Sequence, residues 1–255
     1  MERKAVVGGI GKRNSTTFSS CVRNNPVKSN CHSPAAILKG LIILFRYYLD
    51  RIIDFIFSLF WDGKYEALPD LEKNFNFLAE SATSLARKIK SRQLKSEDLV
   101  RACIERIKVV NPVINAVTDE RFEEALKEAC EVDMKIEEGP SVPFTAKESH
   151  QVAGLLNTLG IQARRYIRAC TDAECVRLLR EAGAIPLAVT NVPEINKWQE
   201  TRNMVFGQTN NPYHPGRTCG GSSGGEAALS ASFATPISLC NVYSIYSTTH
   251  ETLPL

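Results

Sequence analysis

Residues 218 to 229 read TCGGSSGGEAAL, two serines enclosed by two pairs of glycines. Glycine loses more backbone freedom on folding than any other residue, so a segment this rich in it either stays loose or follows a path closed to side chains. The preceding GQTNNPYHPGRT is dense in Asn, Pro and Gly, which favour irregular backbone. The run from Glu226 is predicted to start a helix whose first N–H groups face this loop. A flexible Gly/Ser linker is the alternative. A nucleotide cradle is not, because a P-loop needs Lys-Ser or Lys-Thr after its glycines and the spacing G-x-G-x-x-G also fails.

A second feature is Lys147, which directly follows the apolar stretch SVPFTA (141–146). That stretch reads as a strand, so Lys147 falls at its carboxyl end, where α/β proteins commonly place their sites. A lysine there is ordinarily solvated. If desolvated in a cleft, it loses its proton more readily and can act as a base, and serine with lysine can then transfer acyl groups without histidine. A Ser-His-Asp arrangement would have to recruit His150, His214 or His250, none of which lies in a supporting motif. The eight cysteines are scattered singly with no C-x-x-C pair, so they read as reduced thiols, and neither a metal nor a cofactor is expected. A net charge of +3 with no basic tract calls for no nucleic-acid partner.

Four segments emerge. Residues 1 to 34 carry six Lys or Arg against the single acidic Glu2, lack apolar periodicity and are expected to be disordered; an organellar transit peptide is the lesser reading, since no amphipathic helix accompanies the charge. Residues 35 to 61 contain ILKGLIILFRYYLDRIIDFIFSLFW, in which Lys39, Arg46, Asp50 and Asp54 fall on one stripe of a helix whose other faces are almost wholly apolar, Arg51 excepted. Charges in its middle disfavour a clean span, so the helix is expected to lie in a membrane interface, with burial in the protein's own core as the alternative.

From 62 onwards the pattern alternates. A helix is predicted from Ser96 with Leu99, Cys103, Ile104 and Ile107 on one face, ending before Asn111-Pro112. A longer one is predicted through DERFEEALKEACEVDMKIEEG, on Phe122, Leu126, Ala129, Val132 and Ile136, stopped by Gly139-Pro140. A helix over Thr171 to Ala182 closed by Gly183 and a strand AIPLAV (184–189) follow. Strands alternating with helices give the α/β class.

Three blocks, FTAKES around Lys147, GAIPLAVTNVPE, and GQTNNPYHPGRTCGGSSGGEAAL, resemble consecutive blocks of the amidase signature family. With the amphipathic segment and RFEEALKEACEVD, the chain is similar within that family to the membrane-associated fatty-acid amide hydrolases, particularly the second type. The resemblance covers residues 62 to 229. It implies the N-terminal part of a fold with one mixed central sheet and helices on both sides. It implies Lys147 as the base and Ser222 as the relay serine, joined to Gly221 by a cis peptide bond. Gly220, Gly221, Ser223, Gly224 and Gly225 are implied as its supporting loop. The implied reaction is hydrolysis of a lipid amide, on a membrane surface met by residues 35 to 61. A homodimeric partner and an intracellular, membrane-associated location at an endomembrane or lipid-droplet surface are implied as well.

The family's nucleophile lies in a later segment resembling G-x-D-I-G-G-S, whose amides also form the oxyanion hole. After Leu229 this chain reads SASFATPISLCNVYSIYSTTHETLPL, without Gly or Asp. Ser244 and Ser247 stand at about the right distance but lack glycine amides around them, Ser223 is a weaker substitute, and the nucleophile is left unassigned. Ala227 stands where the family has Gly. Residues 230 to 255 are therefore expected to be a divergent tail, from splicing or a gene-model error. The chain is expected to be inactive as an amidase, with the alternative of a non-catalytic form that acts by membrane binding or by pairing with an intact subunit.

Overall fold

The computed structural model describes residues 34–61, 68–134 and 141–241. The expectations for residues 1–33, for Ile136 and the Gly139-Pro140 stop, and for Ser244, Ser247 and His250 lie outside the described residues. The chain divides into two units, Met1–Phe57 and Ser58–Leu255.

The described part of the first unit belongs to α1 (Pro34–Trp61), whose last four residues are counted in the second. Opposite its charged stripe lie Leu41, Phe45, Ile52, Ile56 and Leu59, all exposed. Asp50 sits one turn from Arg46 at 3.9 Å, and the Arg51 guanidinium lies 5.5 Å from the Tyr47 ring centre. Charges interrupt the apolar run often enough that, among the described residues, no helix is long and apolar enough to cross a membrane.

In the second unit, a turn of 3-10 helix over Lys73–Ala79 leads to α2 (Ala82–Lys90), which sequence patterning missed because it is short and cationic. Ser81 caps it, its Oγ accepting the Ser84 N–H at 3.3 Å. Next come α3 (Ser96–Ile114), β1 (Val117–Glu120), α4 (Phe122–Met134) and β2 (Pro143–Lys147). After them follow α5 (Glu174–Glu181), β3 (Ile185–Thr190), the two-residue strands β4 (Arg202–Asn203) and β5 (Gly207–Gln208), α6 (Gly224–Ala231) and β6 (Ser238–Leu239).

The main sheet runs β1-β3-β2-β6, with β1 antiparallel to β3 and β2 parallel to both β3 and β6. It is a mixed sheet. Every residue of β2 and β3 is buried, which is why both read as continuous apolar runs rather than alternating ones. One face packs Val142 and Leu187 against Leu99, Ile107, Ala125 and Leu229 of α3, α4 and α6. On the other face, Phe144, Ala146 and Val189 pack against Val176 of α5.

Local expectations shift in four places. Helix α3 runs through Pro112, since a proline in the last turn removes only one backbone bond. It stops at Asn115 instead, which adopts the left-handed conformation (φ 49°, ψ 53°) while Asn111 Oδ1 accepts the N–H groups of Ala116 and Val117 at 2.8 and 2.9 Å. The helix predicted from Asp119 begins at Phe122, because Asp119 and Glu120 pair with Val189 and Ala188 as strand β1. Helix α5 begins at Glu174, as Asp172 is taken up accepting the Ala153 N–H at 2.7 Å. Finally, the boundary at Leu229 falls inside α6, and the chain beyond it rejoins the sheet. Thr145 N–H donates to Ile237 O at 3.1 Å, and Ser238 and Leu239 pair with Thr145 and Ala146.

Candidate active site

Lys147 is the last residue of β2, in register with Thr190 of β3, and its side chain is fully buried. Its Nζ donates to Ser222 Oγ at 2.7 Å, to Asn241 Oδ1 at 2.9 Å and to Asn241 O at 3.0 Å. Burial pulls the amine down to about 8, partly offset by the neighbouring Cys240 thiol, so near neutral pH it can give up its proton.

Ser222 reaches this amine because the glycine frame lets its loop run against backbone. The Gly221–Ser222 peptide is cis, and Gly220 has φ +80°. A Cβ on Gly221 would come within 2.7 Å of Trp198 O, and one on Gly225 within 2.7 and 2.8 Å of Asn191 O and N. A Cβ on Gly224 would collide with Thr201 Oγ1 and Cys219 Sγ. The Thr201 hydroxyl ties the loop across its width, donating to Gly220 O and accepting the Gly224 N–H, both at 2.9 Å. Ser223 Oγ donates to Asn241 O at 2.8 Å. Ala227, where glycine was expected, is exposed on α6.

Directly after the loop, α6 carries Glu226, which is buried between strands. Its Oε2 accepts from Thr145 Oγ1 at 2.7 Å and its Oε1 from Thr190 Oγ1 at 2.8 Å. Burial raises its carboxyl to about 7, against the opposing effect of those hydroxyls. Glu148, next to Lys147, turns away: its carboxylate accepts the N–H groups of Thr158 and Leu159, and burial raises its pKa.

His150 donates its main-chain N–H to Lys147 O at 2.8 Å, and its Nδ1 lies 3.5 Å from Cys175 Sγ. Burial and the Lys147 charge both lower its pKa. His214 Nδ1 accepts the Gly216 N–H at 3.2 Å, a turn contact, and neither ring reaches Ser222 by a hydrogen bond. The described cysteines are free thiols, and among the described residues no cluster of His, Cys, Asp and Glu could hold a metal ion.

The structure thus brings Lys147, Ser222 and Ser223 together with the four glycines. Sequence reasoning missed Thr201, Glu226 and Asn241. For Glu226 a signal existed, since Thr145 and Thr190 are polar residues inside apolar strands and require a buried partner. Asn241 carried none.

An α/β chain with a strand-end lysine bonded to a serine in a glycine frame is the setting in which the comparisons with known proteins fall. The sequence profile of the Amidase family matches residues 98–241, more than half of the chain, and the chain belongs to that family, the amidase signature family. It is 44% identical over 162 residues to fatty-acid amide hydrolase 2-A of Danio rerio, covering 58% of this chain and 30% of the relative. It is likewise 44% identical over 170 residues to fatty-acid amide hydrolase 2 of Homo sapiens, covering 62% of this chain and 32% of that protein. The solved structure of a fatty acid amide hydrolase shares the fold, with a TM-score of 0.62 at 24% identity over 66% of this chain and 31% of that one. The chain spans about a third of the length of the relatives it matches.

The Glu226 carboxyl gives a testable pH dependence. Its folded value, about 7, exceeds its ordinary 4.5, so the stability it contributes is fully present below pH 4.5 and lost as pH rises through 7. Glu226→Gln keeps both threonine contacts and removes the proton, since a threonine hydroxyl can accept as well as donate. The unfolding free energy of the wild type should fall between pH 5 and 8, by on the order of 2 kcal/mol, and stay flatter in the variant. Parallel profiles for the two proteins would refute the buried carboxyl.

Proposed function

We propose that this chain carries the base and relay serine of a Ser–Ser–Lys hydrolase that cleaves fatty-acid amides to fatty acid and amine. The single observation that carries the reading is the 2.7 Å contact of Lys147 Nζ with Ser222 Oγ in a buried site. The names of the relatives support the substrate class, and the exposed apolar face of α1 supports a lipid setting.

In this reading, the neutral Lys147 amine takes the Ser222 hydroxyl proton while Ser222 takes that of a nucleophilic serine, whose oxygen attacks the amide carbonyl. The proton returns through Ser222 to the departing amine, leaving an acyl ester that water then hydrolyses. One short contact serves both directions, because a serine hydroxyl donates to a free amine and accepts from an ammonium. Backbone N–H groups beside the nucleophile would stabilise the oxyanion. The nucleophile is not assigned, and a polypeptide of these 255 residues is proposed not to turn over. Residues 230 to 255 contain neither glycine nor aspartate, and the family's nucleophile stands among both.

A fluorophosphonate probe tests both parts. The folded chain of 255 residues should remain unlabelled, and labelling abolished by Lys147→Ala would overturn the proposed inactivity. The product of a transcript that continues from Leu229 into a G-x-D-I-G-G-S segment should be labelled and should hydrolyse a long-chain fatty-acid amide. Lys147→Ala or Ser222→Ala should lower its rate by roughly 10²-fold or more. Hydrolysis insensitive to either change would remove both residues from the chemistry.

We further propose that α1 lies in a membrane interface, its Lys39–Asp54 stripe towards water and Phe45 and Ile56 in the acyl boundary, on an intracellular surface such as an endomembrane or lipid droplet. A non-catalytic role at that surface, alone or paired with an intact subunit, is the second reading for the 255-residue chain. Phe45→Asp with Ile56→Asp should release the protein from liposomes in a flotation assay, and unchanged flotation would refute the interfacial helix.

A further inference from the structure

Protonated Lys147 has three N–H bonds to place, and three acceptors converge on its Nζ. Ser222 Oγ supplies one, and Asn241 supplies both others, through Oδ1 at 2.9 Å and its main-chain O at 3.0 Å. Asn241 reaches that place through β6, whose Ser238 and Leu239 pair with Thr145 and Ala146, so the next residues of the two strands run side by side. The neutral amine has two N–H bonds and one lone pair. With two acceptors fixed on Asn241, both N–H bonds are engaged there, and the remaining tetrahedral position faces Ser222 in either protonation state.

We propose that Asn241 is a positioning residue that aims the Lys147 lone pair at Ser222 by holding the other two positions of the amine. The inference rests on the reading of Lys147 and Ser222 as a proton relay, and adds what orients it. A lysine at the end of a flexible four-carbon stem rotates freely about its last bond unless its N–H groups are held. Asn241 O also accepts from Ser223 Oγ, so one carbonyl fixes the amine and the residue beside the relay serine together.

Other ionisable groups near the amine have different engagements. Glu148 is bound to the Thr158 and Leu159 amides and Glu226 to Thr145 and Thr190. On α5, Cys175 faces His150, whose pKa the Lys147 charge lowers. The Cys240 thiol, one residue before Asn241, acts on Lys147 against the larger effect of burial.

The test is the titration of Lys147 Nζ by nitrogen NMR in the 255-residue chain with labelled lysine, in variants of Asn241. Asn241→Asp, of the same size, places an anion against the amine and should raise its midpoint by about one pH unit or more. Asn241→Ala removes one acceptor and should lower it. In the Asn241→Ala background, adding Ser222→Ala should shift the midpoint less than it does in the wild type, because an amine no longer aimed at Ser222 has less to lose. Midpoints unchanged in Asn241→Asp, or a Ser222→Ala shift of equal size in both backgrounds, would overturn the inference. Should Asn241→Ala fail to fold, the Asn241→Asp midpoint decides alone. Failure of the relay reading would appear elsewhere, as hydrolysis insensitive to Lys147→Ala.

Discussion

A primary amine buried at the end of a central strand must be surrounded by acceptors, and most of what is distinctive in this chain follows from that need. Lys147 sits between the two strands that flank β2 and has no exposed surface, so its acceptors come from elements remote in sequence. Ser222 arrives 75 positions later and Asn241 94 positions later. Each must travel against packed backbone to get there. The glycine frame is the cost of that approach: at Gly221 and Gly225 a methyl group would overlap the main chain of Trp198 and Asn191.

The same region buries a second ionisable group with the opposite sign. Lys147 loses its charge more readily than a solvated lysine, and Glu226 keeps its proton longer than a solvated carboxylic acid. Desolvation is the larger cause in both cases, and it favours the neutral form of each. The two groups are built into the same strands: Thr145 precedes Lys147 by two residues on β2, and Thr190 faces Lys147 across the register of β3. Helix α6 is therefore fastened to the sheet by Glu226 directly below the loop that presents Ser222. Thr201 fastens the other side of that loop. Loop and amine are held together by partly buried polar contacts.

The α/β class and the buried runs of β2 and β3 were legible because each left a local pattern, whereas the pairing of Lys147 with Ser222 followed from the resemblance to the amidase signature family. Continuous apolar runs mark strands covered on both faces, and glycine pairs mark a backbone path that excludes Cβ atoms. What was missed depends on tertiary partners. Asp119 and Glu120 have no strand pattern of their own and become β1 because β3 offers an open edge. Pro112 gave a stop signal that the burial of Ile114 and the left-handed turn at Asn115 overrode. Residues past Leu229 were expected to diverge from the family, yet the family profile runs on to residue 241, and Ile237, Ser238 and Leu239 add to β2 through backbone bonds, which ask little of side chains. Asn241 contributes one main-chain and one side-chain oxygen at a position no spacing rule marks.

The buried, partly discharged state of Lys147 is tested most directly by comparing the unfolding free energy of the wild type with that of Lys147→Met across pH. Its folded value of about 8 lies below its ordinary 10.5, so the unfolded chain binds more protons between those values and the wild type gains stability as pH rises through them. Methionine has no such dependence. The stability of Lys147→Met relative to wild type should hold constant below pH 8, then fall by on the order of 3 kcal/mol towards pH 10.5. A difference that does not change with pH would mean that Lys147 is solvated, and would contradict the site described above.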